Sequence, residues 1–471
     1  MAGLLSTLDI ASSALMVARQ GVETSGVNLA NVSNPNYARA RVVIEPRKDP
    51  TGAGAGVQVV AINSLRDAII DEQVVRENST TTYLQNYQRV LQLGQVMLGQ
   101  QIDRQGSTPE AEAAARDLGG QLAIANGLSE FANAIQSASL DPSSAADRQV
   151  LLMKADQLAD KFNTIEQRLS NFQSDIDRDV ESRVADANEK LSRVPKLAME
   201  AASATLVGGN GGVPRDLLQA KLEELAGFLV FQTSYDNQSR ITVVANGITL
   251  INANEQVGKL VVEPDASGRS QVQLQKNDGT GSAALVGGGA IMGLVEARDQ
   301  SVETLRGQID TVAADLIEKF NAIHATGKNL DGQGGRNFFE GTGAKDIRVN
   351  QALVDDWRKV QLSATGANGD NGTALALATM MQAPQDSLGK LNFLGHYNQT
   401  VVQYGQDLSN INNRLADQEL ISHNLLQTRN SITGVSIDEE MSTLIQYQRA
   451  YQASAKLLST VNELLMTLLQ L

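Results

Sequence analysis

The chain contains no cysteine. A disulfide scaffold and any cysteine-ligated metal site are therefore excluded, and nothing in the fold depends on the redox state of its compartment. Aromatic residues make up only 4% of the sequence, with one tryptophan, Trp357. Packing falls to Leu, Ala, Val and Ile, as in long helices and bundles rather than aromatic-rich sandwiches. Basic residues are not in excess: 39 Lys and Arg stand against 53 Asp and Glu, for a net charge of −14. A nucleic-acid binder needs a basic stripe to displace phosphate counterions, so no nucleic-acid partner is expected. No segment holds ~18 unbroken apolar residues, so no membrane span is expected. The opening Met1-Ala2-Gly3-Leu4-Leu5-Ser6 lacks a basic stretch before a continuous apolar core, so no cleavable signal peptide is expected.

Catalytic constellations are equally scarce. His324, His396 and His423 are the only histidines, and no His-Glu-x-x-His pattern is present. Each histidine reads as a structural or surface residue. Gly52, Gly54 and Gly56 lack the strand–turn–helix setting of a dinucleotide loop. Gly287-Gly288-Gly289 has no following Lys-Ser/Thr, so no phosphate loop is supported. Both glycine clusters read as flexible connections. Asp331-Gly332-Gln333-Gly334 lacks the ordered carboxylates of a calcium loop. No catalytic residue, cofactor or metal site is predicted, and the chain is not expected to be an enzyme.

What the sequence does contain is helical periodicity at both ends. Leu4, Leu8, Ala11, Leu15, Ala18, Val22, Ser25 and Leu29 alternate in steps of four and three, the spacing of a coiled-coil seam. Several seam residues are small, so a partner backbone can come close. The helix stops before Asn34-Pro35-Asn36-Tyr37, where Pro35 presets a turn. At the other end, Gly434 and Ser436 open a helix whose apolar face includes Ile437, Met441, Leu444, Tyr451, Ala455, Leu458, Val461, Leu465 and Leu468. Ser436 with Glu439 fits a capping box, and Asp438 and Glu440 suit the positive end of the helix. Neither end helix is broad enough to form its own core. Each needs a partner, and burying one Leu is worth ~1.5–3 kcal/mol, so a paired seam would order both.

Between the ends, 471 residues are too many for one compact core. Strands are expected at Arg41–Ile44 and Gln58–Ile62, joined by a glycine-rich linker over 51–56, with a helix from Leu65 to about Gln101. A further helix is expected over 109–140, with a break at Gly119-Gly120. The longest element begins after Asp141-Pro142-Ser143-Ser144. Leu151, Ala155, Leu158, Phe162, Ile165, Leu169, Phe172 and Ile176 keep the four–three step, Val180 and Val184 break it, and Ala187, Leu191 and Val194 resume it. From Ala145 to Val194 such a helix is roughly 75 Å long. After a loop over 207–212 and a short helix over 216–229, strand-like runs appear at Arg240–Ala245, Gly247–Ile251, Lys259–Glu263 and Ser270–Leu274. Asn246-Gly247 and Asp278-Gly279 are their turn signals. Helix returns over 292–325, a loop spans 327–335, a less regular polar region extends to about 386, and helix resumes over 396–428.

The expected fold is mainly α with a small β-rich module, elongated, with paired N- and C-terminal coiled-coil helices, a long-helix bundle and a central β domain. Residues 1–36 and 434–471 are assigned to the terminal core, 37–230 and 290–433 to a discontinuous rod-like helical body, and 231–289 to the β module.

Particular residues also carry a family resemblance. Gly26-Val27-Asn28-Leu29-Ala30-Asn31, with Pro35 and Tyr37 in the following turn, resembles the opening motif of flagellar axial proteins. Gly434-Val435-Ser436-Ile437-Asp438-Glu439-Glu440-Met441, running on to Tyr447-Gln448-Arg449-Ala450-Tyr451, resembles their closing motif. The acidic helix start is more similar to the hook-associated branch than to rod or hook proteins. Gly56-Val57-Gln58-Val59, Arg148, Asp216-Leu217-Leu218, Gly293-Leu294, Arg298-Asp299 and Phe338-Phe339 extend the likeness through the interior. The resemblance implies a structural subunit between hook and filament, exported by the flagellar type III apparatus with a dedicated chaperone. It implies self-association into a ring, with the hook protein and a second junction protein as neighbours, outside the cell. Alternatives are a hook or distal-rod subunit, or an extracellular enzyme carried on axial termini. The interface residues implied are Leu4, Leu8, Ala11, Leu15, Ala18, Val22 and Leu29 on one helix. On the other they are Ile437, Met441, Leu444, Tyr451, Ala455, Leu458 and Leu465. Tyr447 and Tyr451, four apart, are candidates for the chaperone contact.

Overall fold

A computed structural model describes residues 2–47, 56–98, 123–206, 212–266 and 268–469. The predicted linker residues 51–55, loop residues 207–211 and helix residues 109–122 lie outside the described residues. Contacts divide the chain into two units. The first comprises Met1–Tyr83, Glu181–Met292 and Asp417–Leu471; the second comprises Leu84–Val180 and Gly293–Ala416.

The first unit opens with α1 (Ala2–Ala30), then an antiparallel hairpin of β1 (Ala40–Pro46) and β2 (Val57–Ser64), whose register shifts between Val43 and Ile44. Next comes the start of α2 (Ala68–Met97). The hairpin lies on α1. Gly56, at φ +88, lets the chain pass against Ser13. The unit's β module holds two antiparallel sheets. One is β3 (Gln232–Tyr235), β4 (Ile241–Ala245), β5 (Ile248–Asn252) and β6 (Glu255–Gln256). The other is β7 (Gly258–Pro264), β8 (Ser270–Lys276) and β9 (Ser282–Ala284). Asn246 and Gly247 both take positive φ and close the β4–β5 hairpin, as the Asn-Gly signal predicts. Ile241, Val243 and Ala245 alternate inward, and β5 packs against β7 and β8. β3 was not legible, because Gln-Thr-Ser-Tyr has no apolar alternation.

The long helix, α4 (Ala145–Leu206), follows α3 (Ile124–Leu140) and runs for 62 residues. Every seam residue expected from Leu151 to Val194 is buried. The helix passes through Pro195 and continues to Leu206. Proline forfeits one backbone hydrogen bond and normally ends a helix, but Ala198, Ala201 and Ala202 beyond it are buried. Within the first unit, Asn188 of α4 closes a two-way hydrogen bond with Leu260 of β7, at 2.8 and 2.9 Å. α5 (Gly212–Ala226) leads into the β module.

The glycine cluster at 287–289 is not a loose tether. Gly288 packs on Ser79, and Gly289, at φ +87, lies against the backbone of Phe228 at the start of α6 (Gly289–Glu296). A side chain at either position would displace a neighbour. The expectation of a flexible connection is corrected here, because the glycines permit close backbone approach rather than motion.

The second unit is helical. α6 passes through one π turn, Ala297–Val302, into α7 (Glu303–His324). α9 (Gly372–Gln382) packs against α3 and α7. The polar region expected to be irregular holds short elements: β10 (Phe339–Glu340), β11 (Arg348–Val349) and α8 (Gln351–Asp355), besides α9. Phe131, Phe320, Phe338 and Phe339 form one aromatic cluster with ring centroids 4.7–6.2 Å apart. Buried Arg148 donates to the carbonyls of Pro142 and Val360, both at 2.6 Å, fixing the turn before α4. Burial pulls its guanidinium down to about 10, still charged at neutral pH.

The chain ends in α10 (Phe393–Thr433) and α11 (Ile437–Leu469). α1 packs along α11, as the two unpartnered seams predict. Among the described residues no helix is long and apolar enough to cross a membrane.

Candidate functional site

The terminal pair is joined by a buried polar clasp. Its centre is Asn28, in the last turns of α1, only 1% exposed. An amide has two donors and two acceptor sites, and here all four are used. Nδ2 donates to the Ala40 carbonyl and to Glu440 Oε2, each at 2.9 Å. Oδ1 accepts from the Tyr37 hydroxyl at 2.7 Å and from the Ala40 amide at 2.9 Å. Asn28 therefore ties together the end of α1, the start of β1 and the start of α11.

Glu440 stands in the first turn of α11, where the helix's positive end favours a carboxylate. Its Oε1 accepts from Arg39 Nε at 2.6 Å, and Glu439 Oε2 accepts from Arg39 Nη1 at 2.6 Å. The Arg39 backbone amide also donates to the carbonyl of Thr433. Burial works against the charge on Arg39, but the bond to Glu439 and the attraction of Glu440 hold its guanidinium above the ordinary value. Burial pushes the Tyr37 hydroxyl up to about 12, with the Asp216 and Glu440 charges adding to it, so it remains a donor.

A second layer supports the first. The Ala38 amide donates to Asp216 Oδ2 at 3.1 Å, and Arg66 bridges Asp216 at 2.8 Å, Asp71 at 3.1 Å and the Asn36 carbonyl. Two buried acids share one guanidinium. Burial pushes the Asp216 carboxyl up and the Asp71 charge adds to this, against the pull of Arg66. Arg429 pairs with Glu223 at 2.8 Å beside them. Pro35, Asn36, Tyr37, Arg66, Glu223 and Arg429 leave a cavity of about 10 Å³, no larger than one water. The arrangement fixes chain segments to one another and offers no room for a substrate.

Among the predicted motif residues, Asn28, Tyr37, Glu439 and Glu440 meet in the clasp. Asn31 bonds back to Val27 and, with Asn34 and Pro35, forms the turn that carries Tyr37 inward. Asp438 is exposed. Arg39, Arg66 and Asp71 were not anticipated.

The seam also differs in detail. On α1, Ala11 and Ala18 are buried, while Leu4, Leu8, Leu15, Val22 and Leu29 are half-buried. Ser13, Val17, Gly21, Thr24 and Asn28 are buried as well: the β1–β2 hairpin lies on a second side of the helix, against Ser13, while α11 covers Gly21 and reaches Asn28. On α11, Leu444, Ala455, Leu458 and Leu465 are half-buried and Val461 is buried. Ile437, Met441 and Tyr451 are exposed, at 52%, 41% and 40%. The face that meets α1 runs through Glu440, Tyr447 and Val461, beside the apolar stripe read from the sequence rather than along it. Tyr447 lies on Gly21, where a Cβ would enter its ring. The side chain of Leu468 lies outside the described residues.

Elsewhere, an open groove of about 580 Å³ in the second unit is bordered by Gln308, Gln403, Asp407, Asn410 and Arg414, and contains none of the predicted interface residues. His324 is buried in structural hydrogen bonds. Among the described residues no three His, Asp or Glu side chains are grouped to hold a metal.

Comparison with known proteins agrees along the chain. The family described as flagellar hook-associated protein FlgK helical domain matches residues 117–339. The family described as flagellar basal body rod FlgEFG protein C-terminal matches residues 426–471, which include the Glu440 side of the clasp. Flagellar hook-associated protein 1 of Bacillus subtilis is 25% identical, covering 97% of this chain and 96% of its own length. The protein of the same name in Salmonella typhimurium is 21% identical over 99% and 100%, and that of Escherichia coli 20% over 97% and 98%. The solved flagellar hook junction protein FlgK of Burkholderia pseudomallei shares the fold, with a TM-score of 0.61 at 13% identity, covering 77% of this chain and all of that one. With its helical body, its terminal motifs and nearly its whole length matched, the chain is identified as a flagellar hook-associated structural protein, similar along its length to hook-associated protein 1.

Proposed function

We propose that this chain is a structural subunit between hook and filament, built into the flagellum through α1 and α11. One observation carries the reading: the terminal pair leaves apolar side chains uncovered along its length. Ile437, Met441, Ile445 and Met466 are 41–56% exposed on α11, and Leu5, Met16 and Val27 are 46–63% exposed on α1. Such rows gain by meeting the same rows on neighbouring copies. Residues 1–36 and 434–471 then form the assembly core, 37–230 and 290–433 the rod-like body, and 231–289 the outer module. The neighbours are further copies in a ring, the hook protein on one side and a second junction protein on the other.

Export through the flagellar type III apparatus, guarded by a chaperone, belongs to the same reading. Tyr447 faces Gly21 in the paired state, so a chaperone using Tyr447 and Tyr451 takes α11 before it pairs with α1.

The test is removal of the residues after Gly434. Assembly should be abolished while the β module stays folded; motile cells carrying the truncated chain would end the proposal. Electron microscopy of a deletion strain separates the alternative. Hooks without filaments support the junction, whereas loss of the hook itself points to a hook or distal-rod subunit.

A further inference from the structure

The seam between α1 and α11 is poorly suited to fixing its own register. On α1 the buried seam positions are Ala11, Ala18 and Ser25, small residues recurring every seven. Sliding α11 by one heptad brings much the same surface back into contact, because small side chains offer few holes for specific knobs. The apolar term alone therefore distinguishes weakly between registers.

The clasp does not repeat. Asn28 lies opposite Glu440, and Gly21, seven residues earlier, lies opposite Tyr447, seven residues later. The helices run antiparallel, and two separated points define one register. Glu440 is 2% exposed and Asn28 is 1% exposed. A slip by a heptad removes Glu440 from both Asn28 and Arg39 and leaves Asn28 short of one acceptor. A buried charge deprived of its partners is strongly disfavoured, and a buried polar residue at one position can select a single pairing.

We infer that Glu440, held by Asn28 and Arg39, is the positioning residue that sets the register of α11 on α1. In the assembly proposed above, and resting on that reading, this register decides which apolar residues remain outward for neighbours. The pairing itself lies within one chain and can be tested apart from any flagellum.

Because the chain has no cysteine, engineered pairs report register without background. One heptad beyond Gly21 and Tyr447 in the same antiparallel sense are Ala14 and Ser454. The pair Ala14→Cys with Ser454→Cys reports the observed register. Ala14→Cys with Val461→Cys reports a one-heptad slip, since in the observed register those positions are about 10 Å apart along the axis, beyond disulfide reach. Both pairs are placed in the full chain, mildly oxidised, and the intramolecular disulfide quantified by mass spectrometry.

With the clasp intact, only the first pair should close. With Glu440→Leu, closure of the slipped pair should rise by about tenfold or more. Glu440→Gln, which keeps the shape and an acceptor oxygen for Asn28, should restore preference for the first pair. The inference is overturned if Glu440→Leu still closes only the first pair. It is equally overturned if neither pair closes in Glu440→Leu, since the clasp then supplies association rather than register, or if the slipped pair closes with the clasp intact. Motility of the same variants is a separate readout: a register shift with normal assembly would sink the junction role of the pair and leave the positioning role standing.

Discussion

The ring of Tyr447 lies against the backbone of Gly21, so that any side chain at position 21 would occupy the ring's place. In an isolated helix, Gly→Ala is favourable by about 1 kcal/mol. In this chain the sign should reverse. Gly21→Ala is expected to weaken the terminal pair by about 1–3 kcal/mol through overpacking. Hydrogen exchange of the α11 amides measures it. Adding Tyr447→Ala should recover part of the loss, because it removes the group that is struck.

Legibility along the chain followed the range of the signal. The α4 seam is local: each residue from Leu151 to Val194 repeats a short step, and every one is buried. The Asn246-Gly247 hairpin is local too, since both residues favour the backbone they adopt. The clasp is different. Arg39 and Glu440 are 401 positions apart, and nothing near either names the other. Asn28 stood out only through family resemblance, and Glu440 through that and its place at the positive end of a helix. Arg66 and Asp71 carried no signal beyond charge. Gly21 was hidden because a helical glycine reads as a propensity cost until its neighbour is seen. Gly288 and Gly289 misled because a run of glycines reads as a loose connection until the backbone it lies against is seen. The exposed positions of Ile437 and Met441 show the converse: apolar spacing predicts a face, but only contacts tell which partner covers it.

Arg66 serves two buried carboxylates, Asp71 and Asp216, with its own side chain 9% exposed. Arg66→Met keeps the volume and removes the shared charge. The expected cost at neutral pH is about 3–5 kcal/mol, that of buried ions losing their partner. Asp216 is already pushed up by burial and should rise further in the variant. A proton taken up there relieves the unpaired charge, so the deficit against the parent should shrink as pH falls toward 5. Urea unfolding of both proteins at two pH values measures it; a deficit that grew on acidification would contradict the pairing.

The uncovered residues of α11 should separate folding from assembly. Met441 and Ile445 are 41% and 43% exposed. Met441→Asp with Ile445→Asp should change the stability of the single chain by no more than about 0.5 kcal/mol per site. The same changes place charge where neighbouring copies would meet, and incorporation into flagella should fail. Thermal unfolding of the purified chain, alongside motility of cells expressing it, distinguishes the two effects. Normal motility would mean that this row faces solvent in the assembled state.

His324 gives the second unit a defined pH response. Its Nδ1 lies 2.8 Å from the Arg336 carbonyl, which can only accept, so Nδ1 carries the hydrogen. The Gln361 amide donates to Nε2 at 3.0 Å, so Nε2 must keep its lone pair. Both contacts select the neutral ring. Burial is the main cause that lowers its pKa from 6.5 to about 4, with the charges of Arg148 and Arg336 adding to it. In the unfolded chain the ring binds a proton near 6.5. Between about 6.5 and 4 the unfolded state therefore holds more protons, and stability must fall as pH falls through that window. The full loss is roughly 3 kcal/mol, from a shift of about 2.5 units at 1.36 kcal/mol each. At pH 7 the contribution is present, and by pH 5 about 2 kcal/mol of it should be gone. Proton NMR of the imidazole checks the cause: the His324 signal should keep its neutral position down to about pH 5. A ring that titrated near 6.5 in the folded chain would show that Nε2 is free to take a proton and that the bond from Gln361 does not hold in solution.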